Sequence, residues 1–271
     1  MKRLLQTSAL ALASLLFASC LQNETTITLK KDGSGTITEE TLLGAQMLAM
    51  LDQFSNMGGE ADAAKKKDPV ADMFSEEKAK THAADLGEGV TVVKAEPLSK
   101  GDSKGARVTY HFDDINKLKF HLGDSVKNAA PGDTGEAAAK KDKTPPITFT
   151  YSDGKLVIHL PEPKKSEKKP DVADDPQQAQ QLAAMKQMFA DMKMSAKIVI
   201  EPGIGETDAT NVEGNTITLM AVDFGKLVQN EAKFKEFVKQ QPETPEAAQE
   251  LLKGVDGIKI ETKREVTVTV K

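Results

Sequence analysis

Polar and apolar residues alternate through Thr26-Ile27-Thr28-Leu29, pause at Asp32-Gly33-Ser34-Gly35, and alternate again through Thr36-Ile37-Thr38. A period of two on both sides of a glycine-containing turn predicts a β-hairpin. From Glu40 to Met57 the period changes. Leu43, Met47, Met50, Leu51, Phe54 and Met57 recur at three- and four-residue spacing, which predicts a helix. A second helix is expected from Ser75, a capping residue followed by two acids, with Gly87 at its end. Val90–Val93 and Arg107–Phe112 read as strands, and Asp113–Phe120 as a short helix.

The second half repeats these signals. Ile147–Tyr151 and Lys155–Leu160 flank Ser152-Asp153-Gly154 as another hairpin. Gln177–Met192 carries Leu182, Met185, Phe189 and Met192 on one helical face. Ala196–Glu201 and Asn215–Met220 read as paired strands, and Asp223–Gln240 as one or two helices. Thr244-Pro245 opens a further helix that Gly254 closes. Ile258–Val270 is expected as one long strand, with Val266, Val268 and Val270 facing one way. Hairpins mixed with helices predict an α+β fold with a largely antiparallel sheet, amphipathic helices and flexible charged insertions.

Those insertions are read from composition. Gly58–Pro69, Gly123–Pro146 and Pro161–Pro176 are small, charged and almost devoid of large apolar residues. Such stretches bury too little surface to offset the entropy of ordering. The chain is therefore divided into residues 1–19, an N-terminal α+β region at 20–122, a linker at 123–146 and a C-terminal α+β region at 147–271 with an insertion at 161–176. The two regions form one domain or two closely packed ones.

The N-terminus changes the picture most. Met1-Lys2-Arg3 is cationic, and Leu4–Phe17 is a 14-residue apolar stretch broken by Gln6, Thr7, Ser8 and Ser14. Phe17-Ala18-Ser19 then leads to Cys20, the only cysteine in the chain. This is the layout of a secretory signal, and its apolar part is shorter than the roughly 20 residues that span a bilayer. Small residues directly before a Cys resemble the lipobox of bacterial lipoproteins, although Phe17 stands where that family usually has Leu. The resemblance implies cleavage before Cys20, diacylation of its thiol, and a soluble domain outside the cytoplasm. Leu21 in place of Asp favours the outer membrane if the cell is Gram-negative.

Charge and cysteine content agree with that address. Removing residues 1–19 deletes Lys2 and Arg3 and no acid, taking the net charge from −5 to −7. Nucleic acid, which is held by clustered Lys and Arg, is an unsuitable partner. With its one thiol acylated, the mature chain has no disulfide to form.

Four stretches resemble poorly characterised envelope lipoproteins, the LppM-like group among them: Asp32–Gly35 after a strand, Ser75–Val90, Tyr110–Leu118, and Ile198–Leu219. The resemblance implies a lipid-anchored α+β domain and carries over no catalytic residue.

Chemistry-bearing motifs are few. Asp32-Gly33-Ser34-Gly35 fails as a calcium loop, because position twelve is Leu43 rather than Glu. Gly87-Glu88-Gly89 and Gly203-Ile204-Gly205 lack the third glycine and helix of a dinucleotide loop. His82, His111, His121 and His159 show no metal-ligand spacing, and His82 and His159 are expected at the surface. No nucleophile elbow occurs. No catalytic residue, metal or cofactor is assigned.

Ten methionines, with no Trp and only two Tyr, are the compositional oddity. Met47-x-x-Met50, Met185-x-x-Met188 and Met192-x-Met194 fit three readings: flexible core filling, a groove for a hydrophobic ligand or peptide, or Cu(I) ligation. The groove would be lined by Met47, Met50, Phe54, Met185, Met188, Phe189 and Met192. The expected function is a non-enzymatic binding or structural role at the envelope, with the membrane and an unknown envelope protein as partners. The alternative is a carrier or sensor of a hydrophobic ligand, and an envelope enzyme ranks third.

Overall fold

A computed structural model describes residues 21–57, 69–122, 145–162, 182–183, 185–187, 189–240, 242 and 244–271. Cys20 and nearly all of the three charged insertions lie outside these residues.

The fold is α+β, with two sheets. β1 (Leu21–Leu29) and β2 (Gly35–Leu43) form the first hairpin, turned by Gly33 at φ +89°. β3 (Thr91–Lys100) and β4 (Ser103–Phe112) form the second, and β4 pairs with β2 along its whole length. β7 (Lys193–Ile200) lies parallel to β1, and β10 (Thr216–Asp223) pairs with β7. β9 (Val212–Glu213) and β11 (Ile258–Ile260) add to β10. The resulting order is β11-β10-β7-β1-β2-β4-β3, with β9 beside β10. One sheet thus draws strands from both halves of the chain. A smaller antiparallel sheet holds β5 (Thr148–Ser152), β6 (Lys155–His159), β12 (Glu265–Val270) and β8 (Ile204–Thr207), in the order β5-β6-β12-β8.

The main core lies where the small sheet and α3 (Glu76–Leu86) cover one face of the large one. Ile27, Leu29, Ile37, Phe112, Ile198 and Ile200 meet Phe149, Leu156, Ile158, Val266 and Val268, all essentially inaccessible. Each such side chain contributes about 1.5–3 kcal/mol relative to exposure. Val266, Val268 and Val270 share the inward face of β12, as their spacing requires. A second cluster joins α4 (Phe224–Gln229), α5 (Glu231–Gln240) and α6 (Pro245–Leu251) around Leu227, Phe234 and Leu251. Thr244 caps α6 by accepting from the Ala247 amide at 3.0 Å. A third, smaller cluster sits at the start of β1 under α1 (Ala45–Met57) and α2 (Pro69–Met73).

Several elements depart from expectation. The helix expected from Glu40 begins at Ala45, because Glu40–Leu43 continue the β2 ladder against Leu21–Glu24. β3 runs ten residues instead of four. It is an edge strand, so Lys94, Glu96 and Pro97 are tolerated, and a bulge between Val92 and Lys94 turns Val93 outward to 61% exposure. Asp113–Phe120 holds one 3-10 turn, Ile115–Lys117, after which Leu118 and Phe120 bridge Gly87 and Ile147. Ser75 stands at the start of α3 with no side-chain cap bond.

The expected strand Ile258–Val270 is two strands in different sheets. The break is at Glu261, whose buried carboxylate turns the chain. Oε2 accepts from the Thr210 amide at 2.7 Å. Oε1 accepts from the Thr210 hydroxyl and the amides of Thr262 and Lys263 at 2.8–3.1 Å.

Candidate functional site

The end of the large sheet next to Cys20 is built by strand parity. Leu21, first in β1, is directly opposite Leu43, last in β2. Both point to the face covered by α1, where Leu51 completes a buried trio. Met47, Leu48, Met73, Phe74 and Met192 pack around it and stay only partly buried. Met50, on the outer side of α1, is 43% exposed.

The candidate groove residues therefore do not all meet. Met47 and Met192 both pack against the Leu21, Leu43 and Leu51 cluster. Met185 and Phe189 pack with the second cluster, where Phe189 stacks on Phe224 at 5.2 Å and meets Phe234 edge-on at 6.4 Å. Aromatic packing of this kind is ordinary core cohesion. The Phe54 side chain and Met188 lie outside the described residues, as does Cys20.

Between this third cluster and the main core runs a buried polar band. Asn23 and Thr25 of β1 oppose Thr41 and Glu39 of β2, and all four face inward. The Asn23 amide donates to Thr41 Oγ1 at 3.0 Å. Glu39 Oε1 lies 3.1 Å from Nε2 of His82 on α3, with the two side chains only 9% and 11% exposed. Tyr110 lies beside the same carboxylate and meets the His82 ring edge-on at 5.9 Å. Burial, followed by the neighbouring negative charge, pushes the Tyr110 hydroxyl well above the usual phenol range. His82 is thus half-buried, contrary to its expected surface position, because its ring meets Glu39 of β2 and Tyr110 of β4. The parity of Asn23, Thr25, Glu39 and Thr41 with Leu21, Ile27, Ile37 and Leu43 was the available signal.

His159 does stand at the surface, in a chain of contacts with the connectivity of a catalytic triad. Thr150 Oγ1 lies 3.0 Å from Nε2 and Glu265 Oε1 lies 3.1 Å from Nδ1. These groups sit side by side on an exposed sheet face, on the neighbouring strands β5, β6 and β12. Acyl transfer needs donors aimed at a developing oxyanion, and this flat face presents none among the described residues. The outer face of the large sheet carries a shallow groove beside Lys197 and Lys259, and each lysine faces an acid, Glu24 at 2.9 Å and Glu213 at 4.0 Å. Among the described residues, no three His, Asp or Glu side chains converge as a metal site, and no helix is long and apolar enough to cross a membrane.

The sequence matches no family model and no curated protein. Among solved structures, the chain is similar to the folded domain of the Mycobacterium tuberculosis LppM protein, determined by NMR. The likeness has 11% identity, covers 78% of this chain and 88% of that one, and has a TM-score of 0.31, too low to carry an argument about fold or function.

Proposed function

We propose that this chain is a bacterial envelope lipoprotein, anchored through diacylated Cys20, with a non-enzymatic binding or structural role. One observation carries the reading. A cationic start, a short apolar stretch and small residues lead to the chain's only cysteine, and the next residue, Leu21, is already a buried member of β1. Two or more acyl chains give a stable anchor where one gives marginal binding. The partner is an envelope protein that meets the domain close to the membrane.

The test is fractionation of cells producing Cys20→Ala. Release of this variant from the membrane pellet is expected, and retention equal to wild type rejects the anchor.

A second reading, carriage of a hydrophobic ligand, is favoured by the half-buried Met47 and Met192, which pack against one small apolar cluster. Native mass spectrometry of the chain after exposure to an envelope lipid extract decides it. A reproducible added mass supports carriage, and a bare polypeptide mass removes it.

A further inference from the structure

The outward side of α1 carries a single charge, Asp52. Its exposed residues Ala45, Gln46, Ala49, Met50 and Gln53 share one face at 100° per residue. Asp52, the single charge in the helix, stands at the border of that face. In a chain with 28% charged residues such a strip is unusual, and it is flanked by the half-buried Met47 and Leu48. What sets this rim apart from the partly buried side chains around the main core is its place beside the first residue of β1.

Position supplies the occupant. Cys20 and Leu21 are covalent neighbours, with Cα atoms about 3.8 Å apart. Directly opposed residues such as Leu21 and Leu43 lie about 4.5–5.5 Å apart. Only Gly44 separates Leu43 from α1. Leu51 shares a buried cluster with Leu21 and Leu43, and Met47, one turn earlier, packs against that cluster, so the helix is packed beside the residue that follows Cys20. A diacylated Cys20 has no spacer with which to hold this helix away from the lipid.

We infer that the Ala45–Gln53 face of α1 docks on the phospholipid bilayer in which Cys20 is anchored, fixing the orientation of the domain at the membrane. This rests on the lipoprotein reading above. The anchor supplies retention, and α1 supplies a second, shallow contact at the headgroup boundary, where amphipathic helices sink about 5–10 Å. Ala and Gln keep that contact weak, so α1 orients the domain without holding it. The distal hairpin turn at Lys30–Ser34 then points away, about 30 Å along β1.

The test uses the full chain acylated at Cys20, in vesicles of phosphatidylethanolamine and phosphatidylglycerol. Thioether-linked Cys20 leaves an introduced cysteine as the one free thiol, so Ala49→Cys and Lys31→Cys each carry a polarity-sensitive dye at an exposed position. Blue-shifted emission at position 49, quenched by a nitroxide lipid, with neither effect at position 31, is the expected result. Absence of lipid quenching at 49 in a chain that stays on the vesicles overturns the docking and spares the anchor. A blue shift at 49 without lipid quenching does the same, and indicates a protein cover. Equal quenching at both positions also overturns it. A chain that fails to associate with vesicles or membranes overturns the anchor and the docking together.

Discussion

Replacing Glu261 tests whether one carboxylate holds the junction between the two sheets. The side chain is 1% exposed and accepts four hydrogen bonds, from the Thr210 amide and hydroxyl and the amides of Thr262 and Lys263. A hydrogen bond to a charged group contributes about 1.5–3 kcal/mol net. The four do not add, because Thr210 and Lys263 are exposed and water can reach part of the site once the carboxylate is gone. A loss of about 2–4 kcal/mol for Glu261→Ala follows, below the full sum and near the cost of breaking a buried ionic contact. Glu261→Gln discriminates further. Its carbonyl can take the place of Oε1 and keep three bonds, but its amide then faces the Thr210 N–H, donor against donor. Gln should cost about half as much as Ala. Urea unfolding followed by circular dichroism reads both. With a slope of about 2–3 kcal/mol/M, Glu261→Ala moves the midpoint down by about 1 M and Glu261→Gln by about half of that. An Ala variant within about 0.2 M of wild type, or a Gln variant worse than Ala, would refute the assignment of the turn to this carboxylate.

Two further outcomes can be checked on the same material. The Thr267 amide, which donates to the Asp208 carboxyl at 2.7 Å, and to a lesser extent the neighbouring Lys263 hold that carboxyl below the usual carboxylate range. A depressed folded-state pKa stabilises above the unfolded value of about 3.9 and is lost as pH falls through the folded value. Asp208→Asn should therefore flatten the acid limb of the stability–pH curve below pH about 4, and an unchanged limb would count against it. Gly87 ends α3 at φ +147°, where an added Cβ would meet the Lys117 carbonyl oxygen at 2.4 Å, whereas Gly89 at φ +82° has open space around it. Gly87→Ala should cost well over the roughly 1–2 kcal/mol of left-handed backbone expected for Gly89→Ala. Equal melting temperatures for the two would show that Gly87 does not sit against that carbonyl.

The sequence was most legible where one face of an element is buried and the other wet. The β1–β2 and β5–β6 hairpins, the α6 cap and the inward valines of β12 follow directly from period and turn chemistry. Edges were harder to read. β3 buries little on either face, so Lys94, Glu96 and Pro97 erase the alternation that marks a strand, while its pairing with β4 supplies the hydrogen bonds that make it one. The Glu261 break was hidden because a buried acid looks like any surface acid until its donors, Thr210 at a distance of 51 residues among them, come into view. Met47 and Met192 are a similar case: they pack against one small cluster although they stand 145 residues apart in sequence. The polar band around Glu39 was readable by parity alone, had the phase of Ile27 and Ile37 been extended through Asn23, Thr25 and Thr41.

β1 lies in the middle of the large sheet, between β2 and β7, and reaches its second neighbour only when residues near 200 arrive; Glu24 and Lys197, paired across that joint, are 173 residues apart. Local hairpins can form early, but closing a loop of this size must precede any reward from the parallel pairing, and such topologies fold slowly. A half-made chain consequently shows the open side of β1 to its surroundings and cannot lock into its final form. In the exported lipoprotein proposed above, which crosses a membrane before it folds, that delay is useful: the strand next to Cys20 waits for a partner from the far end of the chain.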